Sequence, residues 1–254
     1  MINPNYSQVK LIFLDVDGVV ARDYYTPATP LVFNSLKELS KKYKVCLCTG
    51  RSYKSAMEII NGANLENNYH VIETGTRILM PGGGYANENL LTLSELEGII
   101  KVANKFTDRL GFCQNGVWKD DPEELEGDTI TILSINTFRS EDTKTVLDAI
   151  SAFNQDFCIS PMVSSFDPNG HHIHITNVKA SKGFGTKYVQ EQLGIPKAQS
   201  LGVGDSMGDL PMLNECGVKV VMGNAEDEVK AQGDTVIGDF DDNGLVDFIN
   251  EELL

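Results

Sequence analysis

Two carboxylates end an otherwise apolar segment near the N-terminus. In LIFLDVDGVV, residues 11–20, a run suited to a buried strand leads into Asp15 and Asp17. Asp205 and Asp209 form a second pair in GVGDSMGD, where another apolar run ends. Carboxylates without partners in a protein interior repel one another and are costly to desolvate. The two pairs therefore predict a site for a hard divalent cation with oxygen ligands, and Mg²⁺ is the natural candidate.

A structural role for these aspartates is the alternative. Asp is frequent in turns and helix caps, above all beside glycine, as in the DG and GD pairs of both segments. The combination argues against this interpretation, because Thr49 also follows an apolar run, in CLCTGR, and Lys182 opens a segment of helical periodicity. Ligands of doubly wound sheets bind at the carboxyl ends of the strands, where such residues would meet.

The hydrophobic pattern supplies the elements that would bring those strand ends together. Short apolar runs alternate with segments of helical periodicity through residues 1–79, and the same alternation resumes through residues 176–254. This pattern is typical of an α/β fold with a Rossmann-like, doubly wound parallel sheet. The core is therefore expected to be discontinuous in sequence.

Residues 80–175 follow a different pattern. Helical periodicity near 92–110 and 140–154 is interspersed with strand-like runs at 128–138, 157–165 and 171–176. The turn FDPNGHH would join the last two runs as a hairpin. The segment is therefore predicted to be an inserted α+β module with mostly antiparallel strands.

Charge and composition restrict the function classes. The formal net charge of −15 over 254 residues disfavours binding to nucleic acid or to an anionic membrane. The sequence has neither a bilayer-spanning apolar run nor an apolar signal core, so a cytoplasmic protein is expected. Five scattered cysteines fit a reducing compartment. Cys46 and Cys48 lack a second close pair that would complete a zinc site.

Four short motifs carry a resemblance to a known family. They are DVDG at 15–18, TGR at 49–51, SKG at 181–183 and GDSMGD at 204–209. In order, spacing and strand context they resemble the motifs of the haloacid dehalogenase (HAD) superfamily. The inserted module resembles the C2-type cap of the Cof-like sugar-phosphate phosphatases, a group similar to sucrose-phosphate and archaeal phosphoglycolate phosphatases. MGNAEDEVK resembles the NA loop of that group.

The resemblance implies a Mg²⁺-dependent phosphomonoester hydrolase that acts on a small phosphorylated metabolite of the sugar-phosphate or phosphoglycolate type. Asp15 would be the nucleophile that forms an aspartyl phosphate. Asp17 would protonate the leaving alcohol and then deprotonate the attacking water. Lys182 would neutralise charge on the nucleophile and on the transferring group.

Further roles follow from the same resemblance. Thr49 and Gly50 would bind the phosphoryl group, and Arg51 would either contact substrate or fix the loop through a salt bridge. The implied metal site comprises Asp15, the backbone carbonyl of Asp17, Asp205 and Asp209, with Asp209 holding a metal-bound water or orienting Lys182.

The sequence departs from the family pattern at Gly208, where Asn is usual. The departure removes a polar contact to phosphate or to the nucleophile loop. Asn224 is a candidate to replace the missing Asn side chain, and we therefore expect it to contribute to phosphate binding.

Several alternatives stay open. The function could be that of a phosphomutase of the phosphomannomutase type, or of a phosphate-sensing binding protein without turnover. His171, His172 and His174 could lie at the hairpin surface, in the core or against substrate. The substrate is not specified, and the protein could be a monomer or a homodimer.

Overall fold

The chain divides into two compact units. The core unit comprises Met1–Ala86 and Lys182–Leu254, and the inserted unit comprises Asn87–Ser181. The sequence places the limits of the insertion a few residues earlier, at 80–175. The structure is a computed structural model, and it describes residues 6–137, 139–163 and 171–254. Within these residues no helix is long and apolar enough to cross a bilayer.

The elements follow one another as alternating strands and helices, with a change of pattern in the inserted unit. The first segment contains β1 Leu11–Leu14, α1 Pro30–Lys42, β2 Lys44–Leu47, α2 Tyr53–Gly62, β3 His70–Ile72, β4 Arg77–Leu79 and β5 Tyr85–Glu88. The inserted unit continues with α3 Leu93–Ala103, β6 Leu110–Gln114, β7 Val117–Lys119, β8 Ile132–Thr137, α4 Ser140–Ile150, β9 Phe157–Val163 and β10 His171–Asn177. The second core segment contains α5 Lys182–Leu193, β11 Ser200–Gly204, α6 Leu210–Asn214, β12 Val218–Val221, α7 Asp227–Lys230, β13 Thr235–Val236 and α8 Gly244–Phe248.

The sheet of the core unit is parallel, with the strand order β13-β12-β11-β1-β2. β1 lies inside this sheet, and all four of its residues are buried. Its last residue, Leu14, pairs with Leu47 on one side and with Val203 on the other. The residues that follow these three positions therefore emerge at one edge of the sheet. The predicted α/β core with a parallel sheet is confirmed.

Helix α1 illustrates how a helix packs against the core sheet. The Thr29 hydroxyl caps its N-terminus by accepting a hydrogen bond from the Val32 amide, and Pro30 occupies the first turn. The helix buries Leu36 and Leu39 in the apolar cluster beside β1. A polar cap and an apolar stripe are the features that make this segment helical and fix which face it buries.

The inserted unit has an antiparallel five-stranded sheet of order β7-β6-β8-β10-β9, and α3 and α4 share an apolar cluster with it. The sequence predicts both helices and three of the strands but misses β6 and β7, as well as β4 and β5 in the core unit. These strands are short or interrupted by glycine, so their pattern is weak. The predicted FDPNGHH turn lies mostly outside the described residues.

Among the described residues, the histidines on β10 are not part of a group of three or more side chains that could hold a metal ion. Nδ1 of His172 contacts Oδ1 of Asn136, and the rings of His172 and His174 are 6.2 Å apart. The five cysteines are free, and four of them, all except Cys158, are buried.

A buried histidine joins two neighbouring parts of the core unit. Nδ1 of His70 accepts a hydrogen bond from the Leu47 amide at 3.1 Å, and Nε2 donates to the Leu65 carbonyl at 2.9 Å. The ring must therefore be neutral in the folded protein. Burial lowers the pKa of His70 from its ordinary value near 6.5 to about 4.

This shift predicts a pH dependence of stability. Because the pKa of His70 is lower in the folded protein than in the unfolded chain, the neutral His70 ring contributes fully to stability above pH 6.5. This contribution to the free energy of unfolding is lost as the pH falls towards 4. The loss amounts to about 3 kcal/mol in the free energy of unfolding. We expect His70→Gln to be less stable than the native chain at pH 7 and to show a smaller decline between pH 6.5 and 4.5, as measured by urea unfolding.

His174 provides the comparison, because burial lowers its pKa to about 4 as well. His174→Gln should therefore remove a separate part of the same pH dependence. A decline in His70→Gln as steep as that of the native chain would contradict the assignment.

Candidate active site

Lys182 lies between two buried carboxylates at the edge of the core sheet. It is the first residue of α5, and its Nζ is 2.6 Å from Oδ1 of Asp15 and 2.6 Å from Oδ1 of Asp209. All three residues are buried. Burial acts to lower the pKa of Lys182, but the charges of Asp15 and Asp209 raise it well above its ordinary value. Lys182 is therefore an ammonium ion that compensates part of the negative charge.

The second oxygen of Asp209 organises the loop after β11. Oδ2 of Asp209 accepts hydrogen bonds from the amides of Asp205 and Ser206, each at 3.0 Å, and from the Ser206 hydroxyl at 2.9 Å. Asp209 thus contacts Lys182 through one oxygen and holds the loop that carries Asp205 through the other.

Three carboxylates meet one ammonium group in this cluster. Asp15, Asp205 and Asp209 each offer a ligand oxygen, and these oxygens lie within 4.8 Å of one another. Burial, and then the charge of Asp209, raise the pKa of Asp15 well above its ordinary value and the pKa of Asp205 to about 7. The carboxylates therefore resist ionising together. A divalent cation that prefers oxygen ligands removes this conflict, so the donor set fits Mg²⁺.

The side chain of Asp17 is separate from this cluster and pairs with Arg51. Nη2 of Arg51 is 2.7 Å from Oδ1 of Asp17, and Nε of Arg51 is 3.2 Å from the same oxygen. Arg51 is 4% exposed, whereas Asp17 is 40% exposed. The guanidinium also donates to the Asp23 carbonyl at 2.7 Å and lies over the Tyr24 ring. Of the two roles open for Arg51, the structure contains the salt bridge.

The turn after β2 leaves the Gly50 amide without a hydrogen-bond partner among the described residues. The Thr49 amide donates to the Val71 carbonyl at 2.9 Å, and the Arg51 amide donates to the Thr49 hydroxyl oxygen at 3.1 Å. Thr49 is fully buried, so its hydroxyl is out of reach of a ligand in this conformation. Gly50 is half-buried, and its amide has no hydrogen-bond partner in the described chain. The half-buried Gly50 N–H is thus a donor that this turn can offer to a ligand.

Asn224 links the two acidic loops. Its Nδ2 donates to the Gly18 carbonyl and to Oδ2 of Asp205, each at 3.1 Å, and its Oδ1 accepts from the Phe240 amide. A Cβ at Gly18 would lie 1.9 Å from Oδ2 of Asp205, and the backbone there has φ +78°, so this close approach requires glycine. The side chain of Asn224 is thus occupied by protein groups in this structure.

The space around Gly208 does not require a glycine. A Cβ at this position would have only the Ser206 hydroxyl within 4 Å, at 3.5 Å. A side chain could therefore be accommodated where the family usually has Asn.

The structure brings together most of the residues singled out from the sequence, and it adds two. The predicted metal-ligand carboxylates cluster with Lys182, Asp17 pairs with Arg51, and Asn224 connects Gly18 to Asp205. Glu73 and Thr74 were not anticipated. Their amides donate to the Arg51 carbonyl at 3.0 Å and to the Thr49 carbonyl at 3.1 Å. In the sequence, their contribution to the site was indicated only by a glutamate directly after the buried strand β3.

Comparison with known proteins places this site in a family. Residues 12–249 match the family described as haloacid dehalogenase-like hydrolase. Phosphatase YwpJ of Bacillus subtilis is 27% identical over 212 residues, which are 79% of this chain and 70% of that protein. A phosphoglycolate phosphatase of Sulfolobus acidocaldarius is 35% identical over 85 residues, which are 34% of this chain and only 37% of the archaeal protein.

A solved structure supports the same assignment at the level of fold. A haloacid dehalogenase-like hydrolase from B. subtilis matches with a TM-score of 0.82 and 20% sequence identity, covering 96% of this chain and 100% of that one. The resemblance carried by the four short motifs is confirmed, and the protein belongs to the haloacid dehalogenase-like hydrolases.

Proposed function

We propose that the protein is a Mg²⁺-dependent phosphomonoester hydrolase that works through an aspartyl phosphate on Asp15. Its substrate is a small phosphorylated metabolite of the sugar-phosphate or phosphoglycolate type. The observation that carries the proposal is the position of Lys182 Nζ, 2.6 Å from both Asp15 and Asp209 in a buried cluster with Asp205. The names of the curated relatives add support, because both are phosphatases.

Asp15 has one oxygen committed and one available. Oδ1 is bound to Lys182, whereas none of the hydrogen bonds found within the described residues involves Oδ2. Lys182 therefore orients the carboxylate, and Oδ2 is the atom that attacks phosphorus. The bond from phosphorus to the substrate alcohol breaks as the bond to Asp15 forms. Bound Mg²⁺ would neutralise charge on the phosphoryl oxygens and on the carboxylates of Asp15, Asp205 and Asp209.

Asp17 moves the protons. It gives a proton to the departing alcohol in the first step, and it takes one from the water that attacks the aspartyl phosphate in the second. The second step releases inorganic phosphate and restores the Asp15 carboxylate. Arg51 orients Asp17 through two hydrogen bonds from a buried guanidinium.

A phosphomutase would have to retain a bisphosphorylated intermediate and hold its second phosphate on basic side chains. The basic residues in the described part of the inserted unit are dispersed. Arg139 is already paired with Glu141 and Asp142, and Nζ of Lys119 contacts the Glu124 carbonyl. These contacts favour hydrolysis over the mutase alternative.

Removal of the nucleophile tests the reaction. We expect the native chain to release phosphate from p-nitrophenyl phosphate with Mg²⁺ and to lose that activity in EDTA. Asp15→Asn should be inactive under both conditions, because an amide cannot attack phosphorus. Asp247→Asn, a change of the same chemical kind at an exposed residue of α8, should retain native activity.

The same assay separates hydrolysis from binding without turnover. A native chain that is inert in this assay, yet takes up phosphate on Asp15 from acetyl phosphate, would contradict the hydrolase proposal and favour the phosphate-sensing alternative. Activity that persists in Asp15→Asn would exclude Asp15 as nucleophile.

Asn224 is expected to tune activity through the groups it connects. Asn224→Ala removes the hydrogen bonds to Gly18 and Asp205, and we expect kcat/KM to fall by about 10- to 100-fold, with weaker activation by Mg²⁺. Asn250→Ala, at an exposed position of the same unit, is the control.

A second substitution tests whether Asn224 acts in place of the residue that Gly208 lacks. Because a side chain fits at 208, adding Gly208→Asn to Asn224→Ala should restore part of the lost rate. Unchanged kinetics in Asn224→Ala would refute the role.

A further inference from the structure

Three successive residues behind the TGR turn have left-handed backbone conformation. They are Glu73 with φ 51°, Thr74 with φ 59° and Gly75 with φ 91°. A β-branched residue is the least suited to this region, because its Cβ crowds the following carbonyl oxygen. The Thr74 hydroxyl is also buried, and it has no hydrogen-bond partner among the described residues, which is a second unfavourable feature.

The other left-handed positions use residues that tolerate them. Among the described residues, the remaining non-glycine residues with positive φ are Asn64, Asn115 and Asn243. Asparagine adopts this conformation more readily than other non-glycine residues. The mismatch between residue type and conformation is thus confined to Glu73 and Thr74, beside the proposed active site.

The left-handed conformation has a geometric consequence. Successive amides point in opposite directions along a strand, but in the same direction where the backbone is helical, whichever its hand. The amides of Glu73 and Thr74 accordingly reach two carbonyls of the same turn, those of Arg51 at 3.0 Å and Thr49 at 3.1 Å. The two amides belong to the peptide units on either side of Glu73, so both anchors depend on the left-handed backbone at Glu73.

Peptide planarity transmits the anchor to Gly50. The Thr49 carbonyl and the Gly50 N–H belong to one trans peptide unit, so they point in opposite directions. With its carbonyl held by the Thr74 amide, this unit aims the Gly50 N–H away from Thr74. The Thr74 side chain lies close to this turn, since a Cβ at Gly50 would be 3.4 Å from the Thr74 hydroxyl oxygen.

We propose that Thr74 is a positioning residue for phosphate binding: its amide, turned towards the TGR segment by the left-handed backbone at Glu73, anchors the Thr49 carbonyl and thereby aims the free Gly50 N–H at a phosphoryl oxygen. The proposal rests on the phosphatase function proposed above. The backbone amide of Thr74 holds the Thr49 carbonyl, whereas the Thr74 side chain only lowers the stability of the fold.

Deletion of the single N–H group is the sharpest test. Replacing Thr74 with the α-hydroxy analogue of threonine converts its amide to an ester and keeps the side chain. We expect the Kd for inorganic phosphate with Mg²⁺ to rise about tenfold, which corresponds to the loss of one charge-assisted hydrogen bond. The Gly50 amide signal in ¹⁵N NMR spectra should shift on phosphate addition in the native chain and shift less in the ester variant.

A side-chain exchange separates strain from function. Thr74→Asn keeps the amide and relieves the β-branched residue, so we expect Tm to rise by about 2–4 °C with phosphate affinity within twofold of native. The matched control is Asn64→Thr, which introduces the same mismatch at φ 55° after α2 and should lower Tm by a similar amount without altering phosphate affinity.

The outcomes distinguish this proposal from the proposed function. A native chain that binds and releases phosphate, with an ester variant of equal phosphate affinity, would overturn the positioning role alone. The same holds if Thr74→Asn weakens phosphate binding as strongly as the ester, because the side chain would then be the functional group. If the native chain binds no phosphate in the presence of Mg²⁺, the phosphatase function fails and the role of Thr74 fails with it.

Discussion

The structure of the site depends on the electrostatic repulsion among carboxylates at the carboxyl ends of buried strands. All residues of β1 are buried, and Asp15 follows directly after this strand. Water therefore cannot solvate the Asp15 carboxylate as it would at a surface. Lys182 compensates Asp15 and Asp209 together, but one ammonium cannot balance three acids. The remaining charge fits the Mg²⁺ site proposed above, and without a cation the same charge would weaken the folded state.

The charged cluster draws its residues from both separated segments of the core. Asp15 comes from the first segment, and Lys182 is the first residue of the second. The ion pair between them joins the start of the chain to the point where it returns from the inserted unit. The loop after β11 then adds Asp205 and Asp209 beside β1, and the absence of a side chain at Gly18 lets the two loops approach.

Sequence patterns identified the residues that the strand ends bring together, because parallel strands emerge at one edge whatever the details of packing. Asp15 and Asp205 were predictable for that reason, whereas Lys182 was indicated by the SKG motif at the start of a helical segment. The choice between substrate contact and salt bridge for Arg51 was not, since it depends on where the Asp23–Tyr24 segment passes. Short strands such as β7 were missed because three residues cannot establish a period. The left-handed turn at 73–75 was missed because its conformation is imposed by hydrogen bonds to the TGR turn and contradicts local preference.

The carboxylate cluster and the strained turn lower the stability of the core unit, which has a large apolar interior. β1, α1 and α8 contribute to one buried cluster, while β1 and α6 contribute to another on the opposite face of the sheet. Such burial can offset uncompensated carboxylates and a strained turn of a few residues, since each is a local penalty against a cooperative fold. Rigid packing on both faces of β1 also restricts the ways in which the loops could relax to relieve these penalties. The same packing that makes the repulsion tolerable therefore keeps Asp15, Gly50 and Lys182 in the arrangement on which the proposed phosphatase mechanism rests.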